Sequence, residues 1–373
     1  MRYRLALPFM AVAGLISACS DSSTLEPVAS TDGAATSSAL SNRLTVLTRN
    51  IYIGTDVDLV IGALATPDPT DDIPALLAGV ATLQRTDFLA RAAALVDEIA
   101  RYRPQVIGLQ EVDRLDIHLG PPLPVVDISQ DFLAILQDEL ADRGLPYVVA
   151  AQVKNIDASP LPGIRLVDHD VILVDAGRVS VGPRLLERNY SFNVGPVAPG
   201  VSLVRGFVMI DATIAGMPPV RIANTHLESG SQPGLSELRA AQATELLAYV
   251  ESFSPSVLLG DFNDGEGSPM HSIVTGADFA DVWADLRPGT RGFTCCHFAD
   301  LSNRTSALNQ RIDYVFARGI GGPQGQLLGQ VRIIGDQPSS KVAGPLYRLW
   351  PSDHAGVLAQ FLQPPAGAIT SAR

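Results

Sequence analysis

Six times along this chain an apolar run meets residues able to do chemistry. "LTVLTRN" ends in Asn50, "VIGLQE" in Gln110 and Glu111, and "VLLGDFN" in Asp261 and Asn263. "RIANTHLES" carries Asn224, His226 and Glu228, "RIDYVF" carries Asp313, and "SDH" places Asp353 and His354 before a last apolar run. One such ending is ordinary turn chemistry, since Asp and Asn favour turns. Six of them are a constellation. Carboxylates and amides with two histidines suggest a site for a hard divalent cation. In sheet-based α/β folds ligands sit just beyond the strand ends, so a fold that gathered these endings would gather a site.

The elements that must do the gathering are legible as alternating patterns. "RLTVLTRN" (43–50), "QVIGLQEV" (105–112), "SVLLGDFND", "RIDYVFAR" (311–318) and "DHAGVLAQFL" (353–362) read as strands. "YVVAAQV", "IRLVDHDVILV", "RVSVG", "VRGFVMIDATIA" and "VRIANTHLES" read as further strands between Pro/Gly turns. Phe88, Leu89, Ala92, Leu95, Val96 and Ile99 recur at helical spacing and stop before Pro104. Residues 129–142 and the stretch marked by Leu235, Leu238, Leu246 and Tyr249 read as two more helices. Residues 54–84, with Pro67, Pro69 and Pro74, read as a long excursion. This mixture argues for sheets covered by helices in one domain.

The 373 residues are 46% hydrophobic and 18% charged, which is the balance of a globular chain with ample core. The net charge of −12 disfavours a DNA-wrapping or scaffold role. It leaves room for an enzyme that visits nucleic acid, because a bound metal ion supplies positive charge locally.

The first twenty residues, "MRYRLALPFMAVAGLISACS", have a basic start and an apolar stretch from Leu5 to Ala18. That is the layout of a secretory signal peptide. Small residues leading directly into Cys19 resemble a bacterial lipobox, with Cys19 as the lipid-carrying N-terminus. The expected organisation is a signal peptide at 1–18, a Ser/Ala/Thr-rich flexible tether at 19–42, a folded domain at 43–363 and a loose tail at 364–373. The expected location is the bacterial cell envelope after export, anchored by lipid to the outer membrane on its periplasmic side or at the surface.

In this order "TRN", "LQE", "NTHLES", "GDFN", "RIDYVF" and "SDH" resemble the endonuclease/exonuclease/phosphatase superfamily. That group includes deoxyribonuclease I, abasic-site exonucleases, sphingomyelinases and inositol polyphosphate 5-phosphatases. The resemblance implies an α/β (α+β) architecture, a four-layer αββα sandwich of two mixed sheets. It implies Mg²⁺ or Mn²⁺ held by Glu111 with Asn50 beside it and Asp353 close by. Asp261 and Asn263 match the pair that orients the attacking water and contacts the scissile phosphate. His354 matches the final histidine and Asp313 its carboxylate partner. His226 matches a histidine of the sphingomyelinase-like and deoxyribonuclease-like branches. Arg205 and Asn224 are the expected substrate-binding residues, Arg205 by a looser match.

The chain also departs from one branch. Tyr52 stands where abasic-site exonucleases carry a second acidic residue, and "NTHLES" stands where they carry a Tyr. There is no lipid-inserting aromatic hairpin of the sphingomyelinase kind. "DFNDGE" opens like an EF-hand loop, but Glu266 and Ser272 break that pattern. "TCCH" lacks zinc-ligand spacing, so Cys295 and Cys296 read as a vicinal disulfide or free thiols with no chemical role. His169 reads as structural, and His118, His271 and His297 as surface or loop residues.

The expectation is therefore a divalent-metal-dependent phosphoester hydrolase, and among those a phosphodiesterase. Its partners would be a nucleic acid or lipid head-group phosphoester and, through the anchor, a membrane; a monomer is expected. The alternatives are a phosphomonoesterase on inositol or sugar phosphates, which calls for a basic patch the chain lacks, and a non-catalytic binding lipoprotein. Substrate choice is expected to rest on residues 54–84, 113–128 and 286–310.

Overall fold

The computed structural model describes residues 42–250, 253–322 and 326–363. The expected signal peptide, the tether with Cys19 and the tail from residue 364 lie outside the described residues.

Two large sheets face each other. The first contains β1 (Arg43–Asn50), β2 (Val106–Gln110), β3 (Arg114–Leu119), β4 (Val126–Asp131), β5 (Tyr147–Ala158) and β6 (Ile164–Asp175). The second contains β7 (Val179–Asn189), β8 (Gly206–Ile214), β9 (Val220–His226), β10 (Ser256–Asp261), β11 (Ala280–Asp281) and β12 (Asp313–Arg318). The chain then returns to the first sheet with β13 (Gly329–Ile334) and β14 (Gly356–Leu362). The orders are β13-β14-β1-β2-β6-β3-β4, with β5 also on β6, and β11-β12-β10-β9-β8-β7. Both sheets are mixed: β1 runs parallel to β2 and β9 parallel to β10, while the other pairs named here run antiparallel.

The four layers follow from the pleat, which sends successive side chains to opposite faces. Val257 and Leu259 of β10 pack between the sheets with Val46, Ile172, Ile210, Ile222 and Val357. Leu258 faces outward onto Leu246 and Val250 of α5 (Leu235–Val250) and Val274 of α6 (Pro269–Gly276). On the other outer face, Leu47, Ile107 and Leu173 pack against Leu95 and Ile99 of α3 (Phe88–Tyr102) and Leu136 of α4 (Phe132–Asp142). Strands buried on both faces read as unbroken apolar runs, which is why "VLLG" shows no alternation. The expected αββα sandwich is the fold.

Three boundaries differ from the sequence reading. The excursion at 54–84 contains two helices, α1 (Val57–Leu64) and α2 (Asp72–Thr86), with Asp56 capping α1 through Leu59 N at 3.1 Å. Residues 129–131 belong to β4, since Asp131 caps α4 through Ala134 N. Residues 113–128 form most of a β3–β4 hairpin rather than a loop. A five-residue helix, α7 (Val282–Leu286), follows β11.

Helix α3 fixes the ends of the central strands from behind. Arg91 is fully buried and donates to the carbonyls of Ile51 at 2.7 Å, Tyr52 at 2.9 Å and Pro351 at 3.2 Å. Two turns later Glu98 pairs with buried Arg49 at 3.1 Å, and Arg49 also donates to the carbonyl of His354. The segments carrying Asn50 and His354 are thereby tied to one helix face.

Candidate active site

The strand endings meet in one cleft of about 320 Å³. Sheet register does much of this. His226 is the lateral neighbour of Asp261, and Asp261 is the lateral neighbour of Asp313. Three chemically able side chains thus lie in one row across β9, β10 and β12. From the first sheet, Asn50 closes β1 opposite Gln110 of β2, and Glu111 follows at once.

Backbone turns beyond the strands then aim the groups. Tyr52, Glu111 and Asn263 all have left-handed backbone, with φ of 61°, 55° and 51°. Such conformations cost energy for side chains other than Asn or Gly and persist where surroundings enforce them. Here Tyr52 N donates to Asn50 Oδ1 at 2.9 Å, Ile53 N to Glu111 Oε2 at 2.9 Å, and Asn263 N to Asp261 Oδ1 at 2.9 Å.

Asp261 Oδ2 is the focus. Asn50 Nδ2 donates to it at 3.2 Å and to Glu111 Oε1 at 2.8 Å, so one amide bridges the two carboxylates. The Nε2 atoms of His226 and His354 each lie 3.7 Å from the same oxygen, too far for a hydrogen bond. The two imidazoles differ in state. Arg205 Nη1 approaches His226 Nδ1 at 3.2 Å. A guanidinium only donates, which leaves the proton of His226 on Nε2. Burial, then Arg205 and His354, hold the His226 pKa well below its ordinary value. His354 Nδ1 donates instead to Asp313 Oδ2 at 2.8 Å. Burial works against its imidazolium, but Asp313, Asp353 and Asp261 outweigh it and lift its pKa well above the ordinary value.

The carboxylates carry the opposite stress. Burial and then Asp313 push Asp261 up to about 7, and burial and then Glu111 push Asp353 up to about 7. Burial also raises Glu111. Among the described residues neither Glu111 nor Asp353 has an Arg or Lys ion pair. Hard oxygen donors raised by burial and short of cationic partners fit a divalent cation, which favours their ionised forms. Glu111 and Asp353 could hold one, with Asn50 donating to Glu111, and Asp261, Asp313 and His354 bring ligand atoms within 4.8 Å of one another beside them.

Glu111, Arg205, His226, Asp261, Asn263, Asp353 and His354 all line the cleft. Asn50 and Asp313 support it from behind. Asn224 is a correction. It is 0% exposed and lies between the sheets, where Nδ2 donates to the carbonyls of Leu109 at 2.9 Å and Val171 at 3.1 Å. Its Oδ1 accepts from Gln110 at 2.6 Å, so this amide ties the sheets together and touches no substrate. His297 is another correction: it is buried, stacks on Trp350 with centroids 4.0 Å apart and lines the cleft. Burial, then Arg49 and Lys341, lower its pKa to about 3.

Sequence reasoning gave no role to Asp113, Asp168 and Glu228, which also line the cleft. Glu228 and Asp168 flank Arg205 at 3.4 Å and 3.9 Å and outweigh the burial that opposes its charge. The alternation in "VDHDVILV" was the available signal for Asp168. Cys295 and Cys296 are joined to each other and line the cleft. Cys296 Sγ lies 3.9 Å from His354 Nε2.

No curated protein matches the chain. The fold is shared with an endonuclease/exonuclease/phosphatase from Beutenbergia cavernae, at TM-score 0.55 and 22% identity, covering 88% of this chain and 73% of that one. A Bacteroides vulgatus endonuclease/exonuclease/phosphatase has TM-score 0.52 at 16% identity, covering 86% and 99%. A mannosyl-6-phosphatase from Bacteroides thetaiotaomicron has TM-score 0.52 at 15% identity, covering 86% and 99%. The family model for the endonuclease/exonuclease/phosphatase family matches residues 82–354. That range takes in the cleft from Glu111 to His354, and on it the chain belongs to the endonuclease/exonuclease/phosphatase family of phosphoester hydrolases.

Proposed function

We propose that this protein is a divalent-metal-dependent phosphodiesterase. The observation that carries the reading is Asp261 Oδ2, bracketed by a neutral His226 and a cationic His354 beside Glu111. A carboxyl group with a pKa near neutrality is matched to take a proton from water. Asp261 is therefore assigned as the base that orients and deprotonates the attacking water. His354, kept protonated by Asp313, donates to an oxygen on phosphorus, and Nε2–H of His226 donates to a second. Arg205 holds His226 in that tautomer. Asn263 adds a donor without the negative charge that would repel phosphate. Glu111 and Asp353, with Asn50, would hold Mg²⁺ or Mn²⁺, which when bound supplies Lewis acidity toward the phosphoryl oxygens.

The diester preference rests on charge. Among the described residues lining the cleft, eight carboxylates stand against one guanidinium, Arg205. A diester brings one negative charge and a monoester two, so the less charged ester is less repelled. The cluster of cationic groups that a multiply phosphorylated sugar calls for is absent from the described residues of this lining. The Cys19 anchor is kept as part of the proposal, placing the enzyme at the cell envelope.

The test is hydrolysis of bis(p-nitrophenyl) phosphate beside p-nitrophenyl phosphate, with Mg²⁺ or EDTA and with His354→Ala. Diester cleavage lost with EDTA and in the variant is the expected result. Cleavage of the monoester alone would move the assignment to a phosphatase. Inertness toward a broad set of natural phosphoesters would leave a binding protein.

A further inference from the structure

Beside the polar cleft lies a second cavity of about 90 Å³, walled by aliphatic side chains of α1, α2 and the first sheet. The two spaces adjoin, with Ile53, Thr55, Val57, Ile61, Ile156 and Leu166 in the walls of both. Water needs two or more polar partners to occupy a cavity. Here Thr55 and Arg165 are the polar side chains in the lining, and Arg165 is committed to Asp157 through two bonds of 3.1 Å. The space suits hydrocarbon rather than solvent.

Its roof is built to move. Helix α1, "VDLVIGAL", is rich in apolar residues yet has no buried side chain. Leu59 on its outer side is 71% exposed. Val57, Val60 and Leu64 are only partly buried against the core, and a helix with so little fully buried surface belongs to the low-stability segments that open most readily. The charge of the cleft points to the same class of occupant. With one guanidinium against eight carboxylates, ion pairing to Arg or Lys side chains is limited, and hydrocarbon contacts would add to the affinity for an anionic ester.

Resting on the phosphodiesterase reading, we propose that the cavity under α1 is a subsite for a short alkyl or aryl group esterified to the phosphate that the cleft hydrolyses. The substrate class is a low-charge phosphodiester with one hydrocarbon arm. The arm lies against Ile61, Ile156 and Leu166, while the phosphate sits toward Asp261.

Two measurements on the full chain test this. The first is calorimetric binding of n-alkanols from butanol to octanol in EDTA, which reads the pocket without turnover. The expected gain is about fourfold per methylene until the cavity is full, from about 0.8 kcal/mol per buried CH₂, with a negative heat-capacity change. The second is kcat/KM for p-nitrophenyl n-alkyl phosphates, expected to rise with alkyl length and then level off. Ala158→Phe, which fills the cavity, is expected to flatten both series. Leu76→Ala, which enlarges it, is expected to extend them, so a misfolded Ala158→Phe does not remove the test. No alkanol binding, or turnover indifferent to alkyl length in the native protein and in Leu76→Ala, overturns the subsite. Alkanol binding with the expected length dependence but no turnover of any diester overturns the hydrolase reading and leaves the hydrocarbon pocket standing.

Discussion

Asp313 touches no space a substrate enters, yet it sets the charge of the residue that does. Its carboxylate is the first of three that hold His354 protonated against burial. Replacing Asp313 by Asn keeps the shape and removes the charge. The His354 pKa is expected to fall, moving the alkaline limb of the pH–kcat profile to lower pH and cutting kcat by about 10²–10⁴, the range of a lost acid–base contribution. A pH–rate series on Asp313→Asn reads this directly, and an unmoved alkaline limb would assign His354 another role. Asn224→Leu is the contrasting case. It takes the Asn224 acceptor from Gln110 Nε2, which keeps Thr48 Oγ1 at 3.2 Å, and the Asn224 donor from the carbonyls of Leu109 and Val171. A loss of about 1–3 kcal/mol is expected, read by urea unfolding, with kcat retained while the variant is folded. The residue types at the strand endings were legible in the sequence, and seven of them line the cleft. What sequence could not separate was a polar side chain facing the cleft from one facing the other sheet. Asn224 and His226 sit two apart on one strand, on the same face of the pleat, and differ only in depth.

At the scale of elements, the two sheets must approach closely for that amide to cross between them. Gly108 makes the room. A Cβ there would meet Asn224 Oδ1 at 2.4 Å and Leu259 Cβ at 3.1 Å. Gly108→Ala is expected to cost about 1–3 kcal/mol through overpacking and to lower kcat with it, because β2 carries Glu111 at its end. Thermal unfolding and kcat measured together check this; a neutral substitution would mean the sheets can part without consequence. The strands of the sandwich were readable because burial on both faces leaves an unbroken apolar run. The pair of helices at 57–86 was not. Prolines at 67, 69 and 74 punctuate the segment, but Pro74 falls in the first turn of α2, where a missing N–H costs nothing.

For the whole molecule, the cleft makes the metal-free fold sensitive to pH. Asp261 and Asp353, near 7 when folded, keep protons that the unfolded chain has already released. Stability from these groups is present at low pH and is lost as pH rises through about 7. His354, raised well above its ordinary value, acts with the same sign above its ordinary range, while His226, lowered, opposes below it. In EDTA the Tm is expected to fall between pH 5 and pH 8 as the two carboxyl groups ionise. Mg²⁺ is expected to raise Tm more at pH 8 than at pH 5, because binding favours the ionised site. A metal-free Tm that climbs over this interval would refute the assignment of these groups. One further consequence comes from the place of β14. It enters the first sheet between β13 and β1, two residues after His354. The imidazolium is therefore delivered with the last strand among the described residues. A chain still being made holds Glu111 and Asp261 early but owns no finished site, and its chemistry begins only when β14 closes onto β1.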